Sequence, residues 1–261
     1  TADGTVANYG DAPNIVLGSA ANVAFNVGAT VGGGGATRSA GGLLDITVRN
    51  TATGRFSTVA GGIGNRITND QSTISGGGRN TVVGFGGVVS GGTSNQAAGD
   101  YSTVSGGLGN RASGIVSIVS GGTNNCAGGD YSWAGGAEAN VRAGNEVDDL
   151  ICSFTSGDAD GDEGTFAWAD RSAPNVNFVS TGPNQFLVRA AGGMAINTNT
   201  PTPGSALTVN GSMSFSGSQT SQMLNLFNNT YGIGVQNLRL YFRTASGFSW
   251  FEDGVHSSTT D

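Results

Sequence analysis

Gly recurs at positions 61, 76, 91, 106, 121 and 136, and Asn at 65, 80, 95, 110, 125 and 140, so two residue types keep one fifteen-residue step through six units. A β-branched aliphatic stands two residues before each Gly, at Val59, Ile74, Val89, Val104 and Val119, and Ala134 closes the series. A short fixed period means a solenoid, in which each unit covers the apolar face of the next. Fifteen residues hold two short strands and two tight turns. Strand alternation turns the Val59-type side chains inward and the Thr58- and Ala60-type neighbours outward. Asn65, Asn80, Asn95, Asn110, Asn125 and Asn140 form the expected structural ladder, bonding along the stack as amide side chains do where equivalent strands lie in register. Each unit ends on Gly84, Gly99, Gly114, Gly129 or Gly144, with Asn69 in the first. Asn is the best substitute for Gly on left-handed backbone, so this column is expected to carry the φ > 0 turn.

The period extends upstream. Val16, Gly18 and Asn22 fit the template, and Val31 with Gly33 fit one step later. From Gly33 to Gly61 the step is 28, which places a 13-residue insertion within 35–54 and gives eight coils. A second period of 30 sets Asp70, Asp100 and Asp130 against Phe85 and Ile115. The expected organisation is therefore N-terminal coils with an insertion over 1–54 and regular repeats over 55–145. An insertion loop and neck follow over 146–210, then a C-terminal β-meander over 211–261. The meander's expected strands are Met223–Phe227, Tyr231–Val235, Leu238–Phe242 and Phe248–Phe251, parted by Asn-, Gly- and Ser-rich turns.

Composition agrees with an all-β chain. Of 261 residues 47 are Gly, only 11 % are charged, and every one of the eleven basic residues is Arg. Long helices draw on other residues, which excludes a helical bundle. No apolar run approaches the length of a membrane span, so no membrane insertion is expected. A net charge of −7 without a basic cluster argues against nucleic-acid binding. A coil this thin buries little apolar area by itself. Phe56, Tyr101, Val116 and Tyr131 are left over once the interior is filled. Burial between chains in a parallel homotrimer is the economical solution.

Runs such as Y101-S-T-V-S-G-G-L-G-N-R-A-S-G and D130-Y-S-W-A-G-G-A resemble the left-handed β-roll heads of trimeric autotransporter adhesins. They are still more similar to tail-fibre-like proteins that carry an endosialidase-type intramolecular chaperone. G164-T-F-A-W-A-D, T181-G-P-N-Q-F-L-V-R-A-A-G-G-M-A-I-N-T-N-T-P and A206-L-T-V-N-G-S resemble the segments that follow the repeats in those fibres. The resemblance covers most of the chain and implies a homotrimeric left-handed β-roll with 15-residue coils and a β-rich neck. It further implies a non-enzymatic fibre or adhesin, extracellular or virion-associated, that attaches to a cell-surface glycan or other receptor. Glu146 to Asp162 departs from the pattern as an insertion. The resemblance also leads us to expect a helix-containing chaperone encoded after Asp261, because near-identical coils on three chains can slip in register.

The competing functional reading is a polysaccharide depolymerase with intersubunit carboxylates. Asp70, Asp100 and Asp130 would stand two coils apart, about 9.6 Å by the strand spacing, the outer limit of an inverting pair. A regularly repeated Asp is more often a turn-former. Asp148, Asp149, Glu163 and Asp170 are the weaker alternative. Ice binding through Thr58, Thr73 and Thr103 is poorer still, since Val88, Ile118 and Trp133 interrupt the row. Asp158, Asp160 and Asp162 alternate as in a Ca²⁺ loop, yet Glu163 and Ala169 stand where a helix-loop-helix site needs Gly and Glu. A solvated acidic loop is preferred, with Ca²⁺ as the alternative and no other cofactor expected. Trp168, Tyr231, Tyr241, Phe248 and Trp250 could stack on sugar rings, though the trimer core is their preferred place. A Cys126–Cys152 disulfide would suit an extracellular protein, but Cys126 falls in a variable surface slot held elsewhere by Arg66, Thr81, Gln96 and Arg111, so two free or partly buried thiols are preferred, with the disulfide as the alternative. His256, the one His, reads as a surface residue.

Overall fold

A computed structural model describes residues 12–35, 48–144, 152, 159–200 and 202–212, together with the backbone of strands Gln222–Phe227, Tyr231–Gln236 and Arg239–Arg243. The described residues form strands and turns with no α-helix. The chain divides into two compact units, Thr1–Gly192 and Gly193–Asp261.

The first unit is a β-solenoid built from two parallel sheets, of ten and nine strands, that alternate along the chain. In the first sheet Thr58 pairs with Thr73, Thr73 with Val88, Val88 with Thr103 and Thr103 with Ile118, each one sequence period apart. In the second sheet Arg66 pairs with Thr81, Thr81 with Gln96 and Gln96 with Arg111 in the same way. Most strands are two residues long, because alternation inverts the second side chain and the turn then takes over. The interior is one column from each sheet. Val31, Val59, Ile74, Val89, Val104, Val119 and Ala134 meet Ala52, Ile67, Val82, Ala97, Ala112 and Ala127, all fully buried.

The insertion near the N-terminus leaves the stack undisturbed. Thr30 pairs directly with Thr58 and Val23 with Thr51, so the extra residues leave after Gly35 and return before Asn50. A second excursion is larger. Ala134 pairs with Ala167, a 33-residue step, and strands Phe166–Ala169, Phe178–Val179 and Phe186–Arg189 continue both sheets. The sequence reading ended the coils at 145 and gave this stretch to a neck. It missed the continuation because steps of 33 and 20 residues follow no common period.

The Asn column explains why this residue type is required. Asn80 Nδ2 donates to Gly76 O of its own coil at 2.9 Å and to Gly92 O of the next at 3.0 Å, while its Oδ1 accepts the Asn95 N–H at 3.0 Å. Asn65, Asn95, Asn110 and Asn125 repeat the pattern, and Asn22 and Asn50 extend it upstream. One side chain thus satisfies three main-chain groups, of which the buried Asn95 N–H would cost about 1–3 kcal/mol if left unmet. Asn140 is a correction. Gly122 pairs with Gly136, one residue short of the period, so Asn125 Oδ1 accepts from Ala139 N instead. Asn140 turns aside to Glu138 O and Asn177 Oδ1.

The left-handed turn is a second correction. Gly84, Gly99, Gly114 and Asn69 are not on positive-φ backbone; two residues later, Phe56, Gln71, Gly86, Tyr101, Val116 and Tyr131 are, with φ of 54–62°. The Gly residues of this column serve close approach, since a Cβ on Gly99 would lie 2.0 Å from Gly114 O in the next coil, whereas Asn69 fits its Cβ in the equivalent slot.

Cys126 and Cys152 form a disulfide, which overturns the expectation of separate thiols. The surface slot inferred from the repeats is covered here: Cys126, Ala143 and Cys152 are buried together, and the Ser113 hydroxyl lies 3.5 Å from Cys152 Sγ. The bond closes a segment of 26 residues, so its loss should destabilise the chain by about 3 kcal/mol through loop-closure entropy. Thermal melts of the wild type and Cys152→Ser in the absence of reductant measure this. An unchanged melting temperature would show that the segment is held by other contacts.

In the second unit, strand Met194–Ile196 pairs in parallel with Leu207–Val209. Strands Gln222–Phe227, Tyr231–Gln236 and Arg239–Arg243 form an antiparallel meander. The fourth expected strand, Phe248–Phe251, lies outside the described residues.

Candidate functional site

The turn column carries the most unusual geometry of the described chain. L-residues are disfavoured on left-handed backbone by roughly 1–2 kcal/mol, and a β-branched residue there is an outlier. Gly28, Gly86 and Gly164 occupy this column without strain, yet Phe56, Tyr101, Val116 and Tyr131 occupy it as well. The turn is held by the coil before it: Tyr101 N donates to Phe85 O at 2.7 Å, Val116 N to Asp100 O at 2.9 Å and Tyr131 N to Ile115 O at 2.8 Å. That bond fixes the backbone and aims the side chain away from the interior. Phe56 and Tyr101 are 57 % exposed, Tyr131 67 % and Val116 42 %. Phe85 meets Tyr101 edge to face at 5.4 Å, and exposed Ile115 completes an apolar ridge along one edge of the stack.

Asp70, Asp100 and Asp130 sit beside this ridge with a defined task. Their Oδ1 atoms accept the main-chain N–H groups of Arg55, Phe85 and Ile115 in the preceding coil at 2.7, 2.8 and 2.7 Å. An Asp in every second coil therefore caps its predecessor's turn. This accounts for the 30-residue alternation and gives a structural task to the first of the carboxylate sets weighed for the depolymerase reading. Asp70 also faces the exposed Arg55 at 3.3 Å, a surface pair of little energetic weight.

Of the Ca²⁺ candidates, Asp158 lies outside the described residues and Asp160 is exposed, with its main-chain carbonyl accepting from Asp130 N. Asp162 is buried and engaged. Arg142 grips it in bidentate fashion at 2.7 and 2.9 Å, the Ser180 hydroxyl donates to Oδ2, and Asp162 N donates to Arg142 O. This clamp joins the two ends of the second excursion. It makes Asp162 an ion-pair partner rather than a free ligand, and no group of metal-ligating side chains occurs among the described residues. Asp170 is fixed similarly on the surface: the Ser172 hydroxyl and the Ala191 N–H hold its carboxyl below the usual carboxylate range, with Arg189 contributing. Its contribution to stability is thus present above that range and is lost as the pH falls through its folded value.

Trp168 is half-buried on strand Phe166–Ala169. Tyr231 and Tyr241 lie on strands described by backbone alone, while Phe248, Trp250, His256, Asp148 and Asp149 lie outside the described residues. The structure instead brings together three rings the sequence reading had not grouped. Trp133 stacks on Phe166 at 4.3 Å and Phe166 on Phe186 at 4.7 Å, where the outward Thr58–Thr73 row ends. Trp133 was visible only as an interruption of that row. Three residues after Phe186, Arg189 lies over the Phe178 ring at 5.5 Å and donates to Val176 O and Ala137 O. Compared with known proteins, the chain matches no family model, and no curated protein matches it.

Proposed function

We propose that this chain is a structural protein: a homotrimeric fibre or adhesin whose left-handed, 15-residue-coil shaft presents it to a cell surface, without enzymatic chemistry. The observation that carries this reading is the strained ridge. Phe56, Tyr101, Val116 and Tyr131 do no work for the coil's own interior, and Gly fits the same slot without strain. Backbone strain persists where surrounding structure fixes it, and it concentrates at functional positions. A ridge set at the coil spacing, continuous over Tyr101, Val116 and Tyr131 and interrupted by Gln71 and Gly86 before Phe56, suits a partner with the same repeat, which another copy of the chain supplies. The buried disulfide supports an extracellular or virion setting, since such bonds persist in oxidising compartments. A cell-surface glycan is the proposed receptor class, with Trp168, Tyr231, Tyr241 and Trp250 the aromatic side chains suited to stack on sugar rings.

The depolymerase reading loses its main support, because Asp70, Asp100 and Asp130 are hydrogen-bonded turn caps. Incubation of the protein with capsular polysaccharide or lipopolysaccharide separates the two. Retention of intact polymer chains on the protein is expected. Shortened chains would overturn the structural reading.

A further inference from the structure

We propose that Asn210–Gly211 is a built-in site of spontaneous deamidation, in a chain whose ladder Asn residues are shielded from that chemistry. It is the one Asn followed by Gly in the whole sequence. The reaction needs the following main-chain nitrogen to reach Cγ, and a Gly at that position has no Cβ to obstruct the approach. Asn210 and Gly211 are exposed, and a Cβ built on Gly211 would meet nothing within 4 Å. Among the described residues, neither the Asn210 carboxamide nor the Gly211 N–H takes part in a hydrogen bond. The main chain of Asn210 is nevertheless anchored: its N–H donates to Ile196 O at 3.0 Å, and its carbonyl accepts Asn197 Nδ2 at 2.9 Å.

The ladder shows the opposite state. Asn65, Asn80, Asn95 and Asn110 are buried, and each carboxamide donates to two Gly carbonyls. The following nitrogens are also committed, since Arg66, Thr81, Gln96 and Arg111 donate to Asn80, Asn95, Asn110 and Asn125 carbonyls at 2.8–2.9 Å. Asn69, Asn175, Asn184 and Asn197 precede Asp70, Val176, Gln185 and Thr198, all bearing a Cβ.

In the step itself the Gly211 nitrogen bonds to Asn210 Cγ and loses its proton to solvent. Nδ2 takes a proton from solvent, the Cγ–Nδ2 bond breaks and ammonia leaves. Water then opens the resulting succinimide at either carbonyl, giving Asp or isoaspartate. Either product adds a negative charge, and isoaspartate also inserts a methylene into the main chain beside strand Leu207–Val209.

Ageing the full-length folded chain in mildly alkaline buffer, followed by peptide mapping with isoaspartate detection, tests the proposal. Conversion at Asn210 should outrun that at every ladder Asn by at least an order of magnitude, and Asn210→Gln should abolish the signal from that peptide. Gly211 has φ of 151°, so Gly211→Ala is checked for folding by circular dichroism and is expected to slow conversion. Conversion spread evenly over the Asn residues, or an Asn210 peptide that stays unmodified while others convert, would overturn it.

Discussion

Gly99→Ala should destabilise the solenoid by about 3–5 kcal/mol, whereas the chemically identical Gly61→Ala should change stability by less than about 1 kcal/mol. A Cβ on Gly99 would lie 2.0 Å from Gly114 O and 2.5 Å from Gly114 C. Both atoms are main chain, so no rotamer change relieves the clash. The coils must part locally, which strains the Gly99 N to Ala112 O and Ser102 N to Gly99 O bonds. Gly99 is on ordinary backbone, so backbone strain does not confuse the result, and a Cβ on Gly61 meets nothing within 4 Å. Urea melts of the two variants give the comparison. Equal midpoints would show that coil spacing is not set at the Gly54–Gly84–Gly99–Gly114 column.

Asn95→Leu should cost about 4 kcal/mol, with the branching of the side chain kept and every polar atom removed. The substitution strands Gly91 O, Gly107 O and Asn110 N, three main-chain groups now bonded at 2.9–3.0 Å, at about 1–3 kcal/mol each with partial relaxation. Ser75→Ala, exposed on the outer face, is the reference and should be close to neutral. Gln96, the neighbour the repeat marks as a surface slot, is unsuitable for that purpose because it is half-buried and accepts from Arg111 Nη1. A shift for Asn95→Leu no larger than for Ser75→Ala would show that the Asn column is not structural.

These two columns mark the border of what the sequence discloses. The period, the inward Val59–Ile74–Val89 column and the Asn rungs were legible because each coil meets the same neighbours and is held to the same residue. Gly was ambiguous: it satisfies both a left-handed φ and a close approach, and only coordinates assign Gly99 to the second and Gly86 to the first. Asn140 kept the arithmetic of the period while the coil beneath it shortened by one residue. Phe166 and Phe186 rejoin the sheets after steps of unequal length, so no ladder search finds them. Cys152 acts through Cys126, which the repeat alone presents as a surface position, and Asp162 acts through Arg142, which stands fifteen residues after the interior Ala127 and is displaced from that slot by Val141. The ridge residues were recognised as surplus to the interior, but their strained backbone could not be read from their identities.

The mass of the chain in solution tests the central claim most directly. Sedimentation equilibrium of the wild type should give about three times the 25.9 kDa of one chain. The Tyr101→Gly, Val116→Gly double variant removes two ridge side chains and relaxes their left-handed backbone. It should keep the β circular dichroism of the wild type while shifting the mass toward that of a single chain. A wild-type mass of one chain at all concentrations would contradict the account.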